Sequence, residues 1–579
     1  MLKEKIKNLL QDALSSQGID ATPAQISIPN EDIYGDYSTP IALSLSKKLQ
    51  KPAMVIANKI SQNLKKVDYI DRVEVVKPGF VNFFLAKKYV VEKAEKEIDL
   101  LSIKTKYSGK NIIIEYSSPN IAKPFTVGHL RSTIIGDAYA NLLEMTGSKV
   151  FRDNHLGDWG TQFGKLLYAI KNFSSIEKIE TNEDPIKYLV ALYVKFHDEE
   201  EINPSIKDEA KKWFKKLEEG DIEAKSIWQK CIFWSYKEFD NIYKKLGIKF
   251  TENDGRGFGE SFFEDKMKDI VKELREKNLL KKSQGAELVF FKKDKFPPLM
   301  ILKQDGTSLY ATRDLAADKF RLTHKRYGQD VIIINEVGKE QSLYFKQLFE
   351  VEKMLGWISE TQRFHIGHGL YRFKDSKMST RKGNSIWLKD VLFEAEKRAQ
   401  TLTENNTLDS KTIKKISSSV GIGALKWNDL KRSPHLDIVF DWEEILSMNG
   451  NSGPYIQYTY ARASSIITRS KEDRLSSTII NSKLTDTTDL DNPQILSILN
   501  MLSKFEEIVL ESTNNMEIHN ICSYLFSLAK KYNQIYQAFP VINEKDSNNQ
   551  KIRLLITEKT AKVLEAGLNI LGIEAIKKM

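Results

Sequence analysis

Two stretches of this chain set reactive side chains beside the local structure that phosphate chemistry needs. The first runs Glu115-Tyr-Ser-Ser-Pro-Asn120-Ile-Ala-Lys123-Pro-Phe-Thr126-Val-Gly128-His129. It grows out of a short apolar run, Asn111-Ile-Ile-Ile-Glu115, that reads as a buried strand, and it opens a helical pattern. A helix start offers unpaired backbone N–H groups and a positive dipole end to a phosphate. Gly128 lets a ligand approach the backbone, and His129 has a ring N–H to donate. The second stretch is Asp375-Ser-Lys377-Met378-Ser379-Thr380-Arg381-Lys382-Gly383-Asn384. It packs three cations around small residues, as suits a loop that closes on developing negative charge. Taken singly, the two read as well as a capped turn and a solvated basic loop. In order, roughly 250 residues apart and on an α/β framework, they support one another.

The elements that must position them follow from periodicity. Residues 111–115 as a strand, 130–146 as a helix and 149–152 as a strand make the crossover of a parallel sheet. Residues 171–280 interrupt that rhythm as a charge-rich helical insertion, with Trp213, Phe214, Trp228 and Phe233 marking apolar faces. Sheet-like sequence resumes at 287–291 and 331–334, and the chain beyond 400 is almost entirely helical. Ile495, Leu499, Leu502 and Val509 keep the spacing of one buried helix face. Residues 472–492 and 543–550 have loop composition, and 73–85 is strand-like around Pro78-Gly79. No internal repeat is present.

Composition bounds the rest. With 579 residues, the chain is long enough for several domains. No run reaches the ~18–20 uncharged apolar residues of a membrane span. Residues 1–14 read as an amphipathic helix without a signal's apolar core or cleavage site. Cys231 and Cys522 are too far apart for a disulfide framework or a CxxC zinc site, which fits a reducing compartment, the cytoplasm. A net charge of +10 suits a polyanion such as nucleic acid, although a merely basic enzyme fits it too.

Together the two phosphate-directed stretches resemble the HIGH and KMSKS signatures of class I aminoacyl-tRNA synthetases, which clasp ATP during adenylate formation. The resemblance narrows to the arginyl-tRNA synthetase family and spans nearly the whole chain. It rests on Ser117-Ser-Pro-Asn-Ile-Ala-Lys-Pro, His155-Leu-Gly-Asp-Trp-Gly-Thr-Gln-Phe-Gly164, Ser308-Leu-Tyr-Ala-Thr-Arg-Asp314, Gly453-Pro-Tyr-Ile-Gln-Tyr-Thr-Tyr-Ala-Arg462 and the ending Leu571-Gly-Ile-Glu through Met579. It implies a multidomain α/β plus α protein. Residues 1–106 would form an N-terminal α+β tRNA-reading domain, and 107–400 a Rossmann-like catalytic core carrying the insertion. Residues 401–452 would be a helical connection touching the tRNA stem, and 453–579 an all-helical anticodon-binding domain.

The implied activity is arginine–tRNA ligation. The implied partners are L-arginine, ATP with Mg²⁺ and tRNA-Arg, with no bound cofactor, no protein-held metal and a monomeric state. A guanidinium is planar, always charged and rich in donors, so it calls for carboxylates in a partly dry pocket. Glu115 and Asp314 lie at or near expected strand ends, where open α/β sheets bind ligands. By resemblance these two meet the guanidinium, Tyr310 walls the pocket, and Asn120 and Gln341 hold the α-amino and carboxylate end, with Ser118 beside them. His129, His365, Gly367, His368, Lys377 and Lys382 are expected at ATP, with Met378 and Ser379 in the closing loop and His155 serving the same site.

Two departures stand out. Thr126 replaces the first histidine of the HIGH pattern, and Thr380 replaces the second lysine of KMSK. Lys123 is then the expected compensating cation, with Lys377 and His129 sharing the phosphate charge. Phe80 and Asn82 resemble an element that reads a D-loop nucleotide. Tyr455 and Arg462, with Tyr536 and Met579, are expected near the anticodon. The rival readings are a catalytically weak tRNA-binding paralogue, which Thr126 and Thr380 would favour, and a synthetase for another amino acid.

Overall fold

The computed structural model describes residues 1–21, 26–29, 31–292, 295–304, 306, 309–373, 386–402, 409–472 and 488–579. The amphipathic N-terminal pattern is the helix Leu2–Ser15, which buries Leu2, Ile6, Leu10 and Leu14. It belongs to a small α+β unit whose antiparallel sheet has the order β1 (Tyr37–Thr39), β3 (Phe80–Leu85), β2 (Ile70–Val76). The expected interruption at Pro78-Gly79 is the β2–β3 turn.

The central sheet is parallel, in the order β10 (Arg363–His368), β9 (Ile332–Gly338), β4 (Asn111–Glu115), β5 (Lys149–Asp153). The strand cores are apolar on both faces, as a covered parallel sheet requires: Ile112, Ile113 and Ile114 in β4 and Ile332, Ile333 and Ile334 in β9 are all buried. From β4 the chain crosses to β5 on one side, whereas β9 adds on the other. The gap between the carboxyl ends of β4 and β9 is therefore a topological switch point, where such sheets open a crevice. Glu115 stands there in register with Asp153 on one side and Asn335 on the other.

The connection from β4 to β5 is the helix Val127–Met145, buried almost all round. Gly136 makes its close seat possible, because a Cβ there would lie 2.2 Å from Tyr116 Cβ, just past the end of β4.

Several expectations change in detail. The helical insertion starts with Thr161–Phe173, and Pro185–Ile202, Ile206–Glu219 and Ile222–Leu246 follow. Trp213, Phe214 and Trp228 pack against the core, but Phe233 is 63% exposed. The sheet-like sequence near 287 becomes β7 (Ala286–Val289), between β6 (Leu280–Ser283) and β8 (Leu299–Leu302) in a separate antiparallel sheet. Its exposed Lys281 and Lys282 fit a sheet with one wet face, not the doubly covered parallel one. Among the helices after 400, β12 (Ile438–Phe440) pairs in parallel with β11 (Tyr371–Phe373). The stripe Ile495/Leu499/Leu502 lies on the helix Pro493–Ser503, whereas Val509 belongs to the next helix, Phe505–Asn515. The expected loop at 543–550 ends earlier, because Asp546 caps the helix Ser547–Ile570 by accepting from the backbone N–H groups of Asn548 and Asn549.

Gly136→Ala is expected to lower stability by about 1–3 kcal/mol, because neither Tyr116 nor the helix has room to yield. A thermal melt that matched the parent would show that the helix is not seated as described.

Candidate active site

The segment between β4 and the helix Val127–Met145 holds an unusual backbone. Ser117, Ser118 and Ala122 have φ values of 74°, 45° and 55°, a region that side chains other than glycine disfavour. Surrounding bonds hold it there. The Ser117 N–H donates to Ser132 Oγ at 2.9 Å, the Ser118 N–H to Asn154 Oδ1 at 3.0 Å, and the Ala122 N–H to Ser235 Oγ at 2.8 Å. Asn120 and Gly157 form a parallel bridge, and a Cβ at 157 would sit 2.3 Å from Asn120 Oδ1. The glycine thus lets Asn120 be pressed into place.

Below this loop lies a cavity of about 570 Å³, a volume within the usual range for ligand sites. Glu115, Ser118, Asn120, Tyr310, Asp314 and Gln341 all line it. These six come from four elements. Glu115 ends β4, Ser118 and Asn120 are on the loop, Tyr310 and Asp314 belong to the helix Tyr310–Thr323, and Gln341 closes a 3₁₀ turn after β9. Asp314 is therefore helical and not at a strand end as expected, since Ala-Thr-Arg-Asp-Leu-Ala-Ala suits a helix interior. Tyr310 is 68% exposed, at the mouth.

The two expected guanidinium ligands are not equivalent. Glu115 already meets a guanidinium, that of buried Arg321, at 2.5 Å. Burial raises its carboxyl, but Arg321 and His155 outweigh that and hold it below the usual carboxylate range. Asp314 has no arginine or lysine partner among the described residues. Its oxygens accept a very short bond from the Tyr344 hydroxyl and face His155 Nε2 at 3.8 Å. Burial pushes its carboxyl up, against the pull of His155 and Tyr344.

His155, Glu260, Arg321, Asn335 and Tyr344 also line the cavity. Of these, only His155 stood out in the sequence. Glu260 and Tyr344 lie in ordinary helical contexts with no signal to single them out.

At the helix start, Thr126 is the N-cap and His129 the third helical residue, in a reciprocal capping arrangement. The Thr126 N–H donates to His129 Nδ1 at 3.1 Å. An acceptor Nδ1 leaves the ring proton on Nε2, free to donate. Burial pushes the imidazole down to about 4, so near neutral pH His129 offers a hydrogen bond and carries no positive charge. Gly128 is exposed, and a Cβ there would meet only Thr126 Oγ1 at 3.4 Å. Packing does not call for the glycine, so its open side suits a ligand. Lys123 is half-buried with no ion pair among the described residues, and burial lowers its ammonium despite Glu260.

His365, Gly367 and His368 share β10, a strand that its histidines and glycine concealed. His365 stacks on Phe345 with centroids 4.6 Å apart, and its Nε2 lies 3.1 Å from the Val337 carbonyl. His368 Nδ1 lies 2.8 Å from Glu336. Gly367 packs its Cα against Lys339, where a Cβ would have 3.1 Å. Lys377, Met378, Ser379, Thr380, Arg381 and Lys382 lie outside the described residues. Among those described, no group of three or more His, Cys, Asp or Glu is arranged to hold a metal ion.

The residues expected at RNA divide. Tyr455, Arg462 and Tyr536 come together across the helices Gly453–Glu472 and His519–Ala538. Arg462 donates to Asn533 Oδ1 at 2.6 Å, Asn533 donates to the Tyr455 hydroxyl at 3.1 Å, and the guanidinium lies 5.0 Å from the Tyr536 ring centre. Tyr458 joins them, with its ring 4.8 Å from the same guanidinium. Met579 is half-buried against the main core instead. In the N-terminal sheet Phe80 is half-buried. Asn82 is only 2% exposed, and its amide oxygen accepts from Ser38 Oγ at 2.7 Å, so that oxygen is already engaged.

Comparison with known proteins meets this geometry at every module. The family model for class I tRNA synthetases (R), catalytic domain, matches residues 95–442. That for the arginyl tRNA synthetase N terminal domain matches 1–85, and that for the DALR anticodon binding domain 456–579. The arginine–tRNA ligase of Clostridium perfringens is 40% identical over 560 residues, 96% of each chain. That of Clostridium botulinum is 39% identical over all of both chains. Among solved structures, the arginyl-tRNA synthetase of Plasmodium falciparum superposes with a TM-score of 0.82 at 26% identity, over 100% of this chain and 99% of that one. The Thermus thermophilus enzyme shares the fold at a TM-score of 0.80 and 22% identity, with both chains covered in full. Three modules in this order, with such identity along the whole length, place the chain in the arginine–tRNA ligase family of class I synthetases.

Proposed function

We propose that this chain activates L-arginine with ATP and transfers it to the terminal ribose of tRNA-Arg. One observation carries the reading: six residues chosen for arginine recognition, more than 200 positions apart at the extremes, line a single cavity at the sheet's switch point. That complete lining speaks against a paralogue that only binds tRNA. In the first step a carboxylate oxygen of arginine attacks the α-phosphorus of ATP, and the bond to pyrophosphate breaks. In the second, the ribose 2′-hydroxyl attacks the adenylate carbonyl and AMP leaves. Mg²⁺ enters with ATP as part of the substrate.

The roles follow from the chemistry of each group. Asp314 is the ionic anchor for the guanidinium, and Glu115, already turned by Arg321, adds an acceptor on its other side. Asn120, Ser118 and Gln341 take the α-amino and carboxylate end, with Tyr310 at the mouth. The helix start presents backbone N–H groups at Gly128 and the Nε2–H of His129 to the phosphate, and Lys123 supplies the positive charge. Lys377 and Lys382 belong to the loop expected to complete the clasp. Tyr455, Arg462 and Tyr536 form an aromatic and cationic face suited to splayed bases. We place the protein in the cytoplasm as a monomer. Both cysteines are buried and free, and among the described residues no helix is long and apolar enough to cross a membrane.

The first test is charging of total tRNA with each amino acid in turn. Incorporation of arginine alone is expected, and incorporation of another amino acid or of none would overturn the reading. Asp314→Asn should lower kcat/KM for arginine by about 10²–10³-fold, from a lost charged partner worth about 2–5 kcal/mol in a desolvated site. The KM for ATP should hardly move. Lys123→Ala should slow adenylation more than Lys382→Ala does. An unchanged rate for the first and a lost rate for the second would transfer the compensating role to Lys382.

A further inference from the structure

His155 sits in the cavity wall with acceptors at both ring nitrogens. Nδ1 lies 3.1 Å from the Phe258 carbonyl oxygen, and Nε2 lies 3.8 Å from Asp314 Oδ1. A carbonyl only accepts, so Nδ1 carries a proton. A neutral ring would then turn the Nε2 lone pair toward a carboxylate, whereas an imidazolium meets acceptors on both sides. The charges around it agree. Glu115, Asp314, Glu260 and Asp158 face the ring, and Arg321 is the opposing cation. The Phe263 ring, 5.7 Å away, adds no charge. Burial alone would strip the proton, but these carboxylates outweigh burial and hold the imidazole above its ordinary value.

The carboxylates in the wall differ in what already neutralises them. Glu115 has Arg321, and Glu260 has Arg313 at 3.3 Å. For Asp314, His155 is the only ion partner among the described residues. A substrate guanidinium that takes Asp314 therefore arrives where a protonated imidazole already stands. Two cations on one buried carboxylate repel each other, and only the imidazolium can yield, because a guanidinium does not deprotonate.

Building on the arginine pocket proposed above, we propose that His155 is the cation of the free pocket and gives up its proton when arginine binds. The proton leaves Nε2 for solvent, and the guanidinium replaces it on Asp314. His155 is thereby a positioning and selectivity residue. It neutralises Asp314 until a permanent cation arrives, and a neutral urea isostere such as citrulline cannot displace it without leaving the carboxylate and imidazolium unpaired. The sign of the linkage follows. Arginine binds the deprotonated ring better, so affinity rises with pH until His155 is neutral in the free protein, by at most tenfold per pH unit for one proton.

Titration calorimetry of arginine into the full-length protein tests this, in buffers of different ionisation enthalpy between pH 6 and 8. The expected result is binding with release of up to one proton, and an affinity that tightens with pH. In His155→Gln, which keeps a donor for Phe258 but cannot carry charge, arginine should still bind, with release near zero and a flat pH profile. A purely structural role for His155 would weaken binding without removing the proton count. Binding by the parent without proton release would overturn the inference and leave the pocket assignment standing. So would undiminished release in His155→Gln, which would assign the proton to Asp314. Absence of arginine binding by the parent would overturn the pocket assignment, and the inference with it.

Discussion

A buried guanidinium holds the floor of this site together. Arg321, 2% exposed, reaches from the helix Tyr310–Thr323 to Glu115 at 2.5 Å, Asp153 at 2.8 Å and Asp318 at 3.3 Å. The Arg363 guanidinium of β10 lies 2.8 Å from Asp318 and 3.5 Å from Glu352. Two cations thus tie the carboxyl ends of β4 and β5 to that helix, to the neighbouring Ser342–Leu355 and to the edge strand. Burial pushes the Glu352 carboxyl well up, against the pull of Arg363. Such a network adds little net stability over an apolar core, since desolvation consumes most of the Coulomb gain. Removing one member would leave an unpaired buried charge at a cost of about 3–5 kcal/mol. Its value is therefore geometric. It aims Glu115 into the cavity and leaves Asp314, one turn before Asp318 on the same helix, as the carboxylate without a guanidinium of its own.

That division explains how a pocket lined by acids avoids collapsing under its own charge. Each carboxylate that shapes the wall is neutralised from behind by a fixed arginine, and the one facing the cavity is screened by a group that can change its charge. The loop above is determined in the same manner. Three residues in a disfavoured backbone region would cost about 1–3 kcal/mol each in isolation, and here hydrogen bonds from three different elements hold them. Charge below and backbone bonding above fix the cavity without any contact from a substrate.

Much of this was legible in the sequence, and the physical reason for each success or failure differs. The triple isoleucine of β4 and the matching run in β9 announced buried parallel strands, because a sheet covered on both faces leaves no polar position. Residues such as Glu115 and Asp314 were found because the motifs containing them are local. Arg321, Tyr344 and Glu260 were not, since their roles arise only when the helices Tyr310–Thr323 and Ser342–Leu355 and the 3₁₀ turn Glu260–Lys266 meet around the cavity, and no spacing within any of these segments encodes that meeting. The strand β10 was missed for a related reason. Arg-Phe-His-Ile-Gly-His has weak intrinsic strand preference, and pairing with β9 overrides it. The burial of Asn82 was not legible in its motif. Its motif pointed to a surface role, but the antiparallel sheet sets it opposite Ser38, whose hydroxyl takes its oxygen.

The same kind of buried pairing joins the helix Val127–Met145 to the helical connection that leads into the C-terminal module. Arg131, on the helix Val127–Met145, bonds Asp429 of the helix Ser410–Leu430 at 2.9 Å, with both side chains essentially inaccessible. That second helix packs so closely on Gly453–Glu472 that a Cβ at Gly453 would lie 2.6 Å from the Gly423 carbonyl oxygen. Gln457 then donates to the Glu574 carbonyl oxygen at 2.8 Å, which pins the C-terminal segment to the same helix. Among the described residues, the path from His129 to Arg462 thus runs through packed helices and buried bonds. Among the described residues, such packing holds the two ends at a set separation. On the proposed function, in which the aromatic face around Tyr455 and Arg462 holds tRNA, such a frame would act as a ruler: it would favour a molecule whose own rigid length brings a ribose to the cavity.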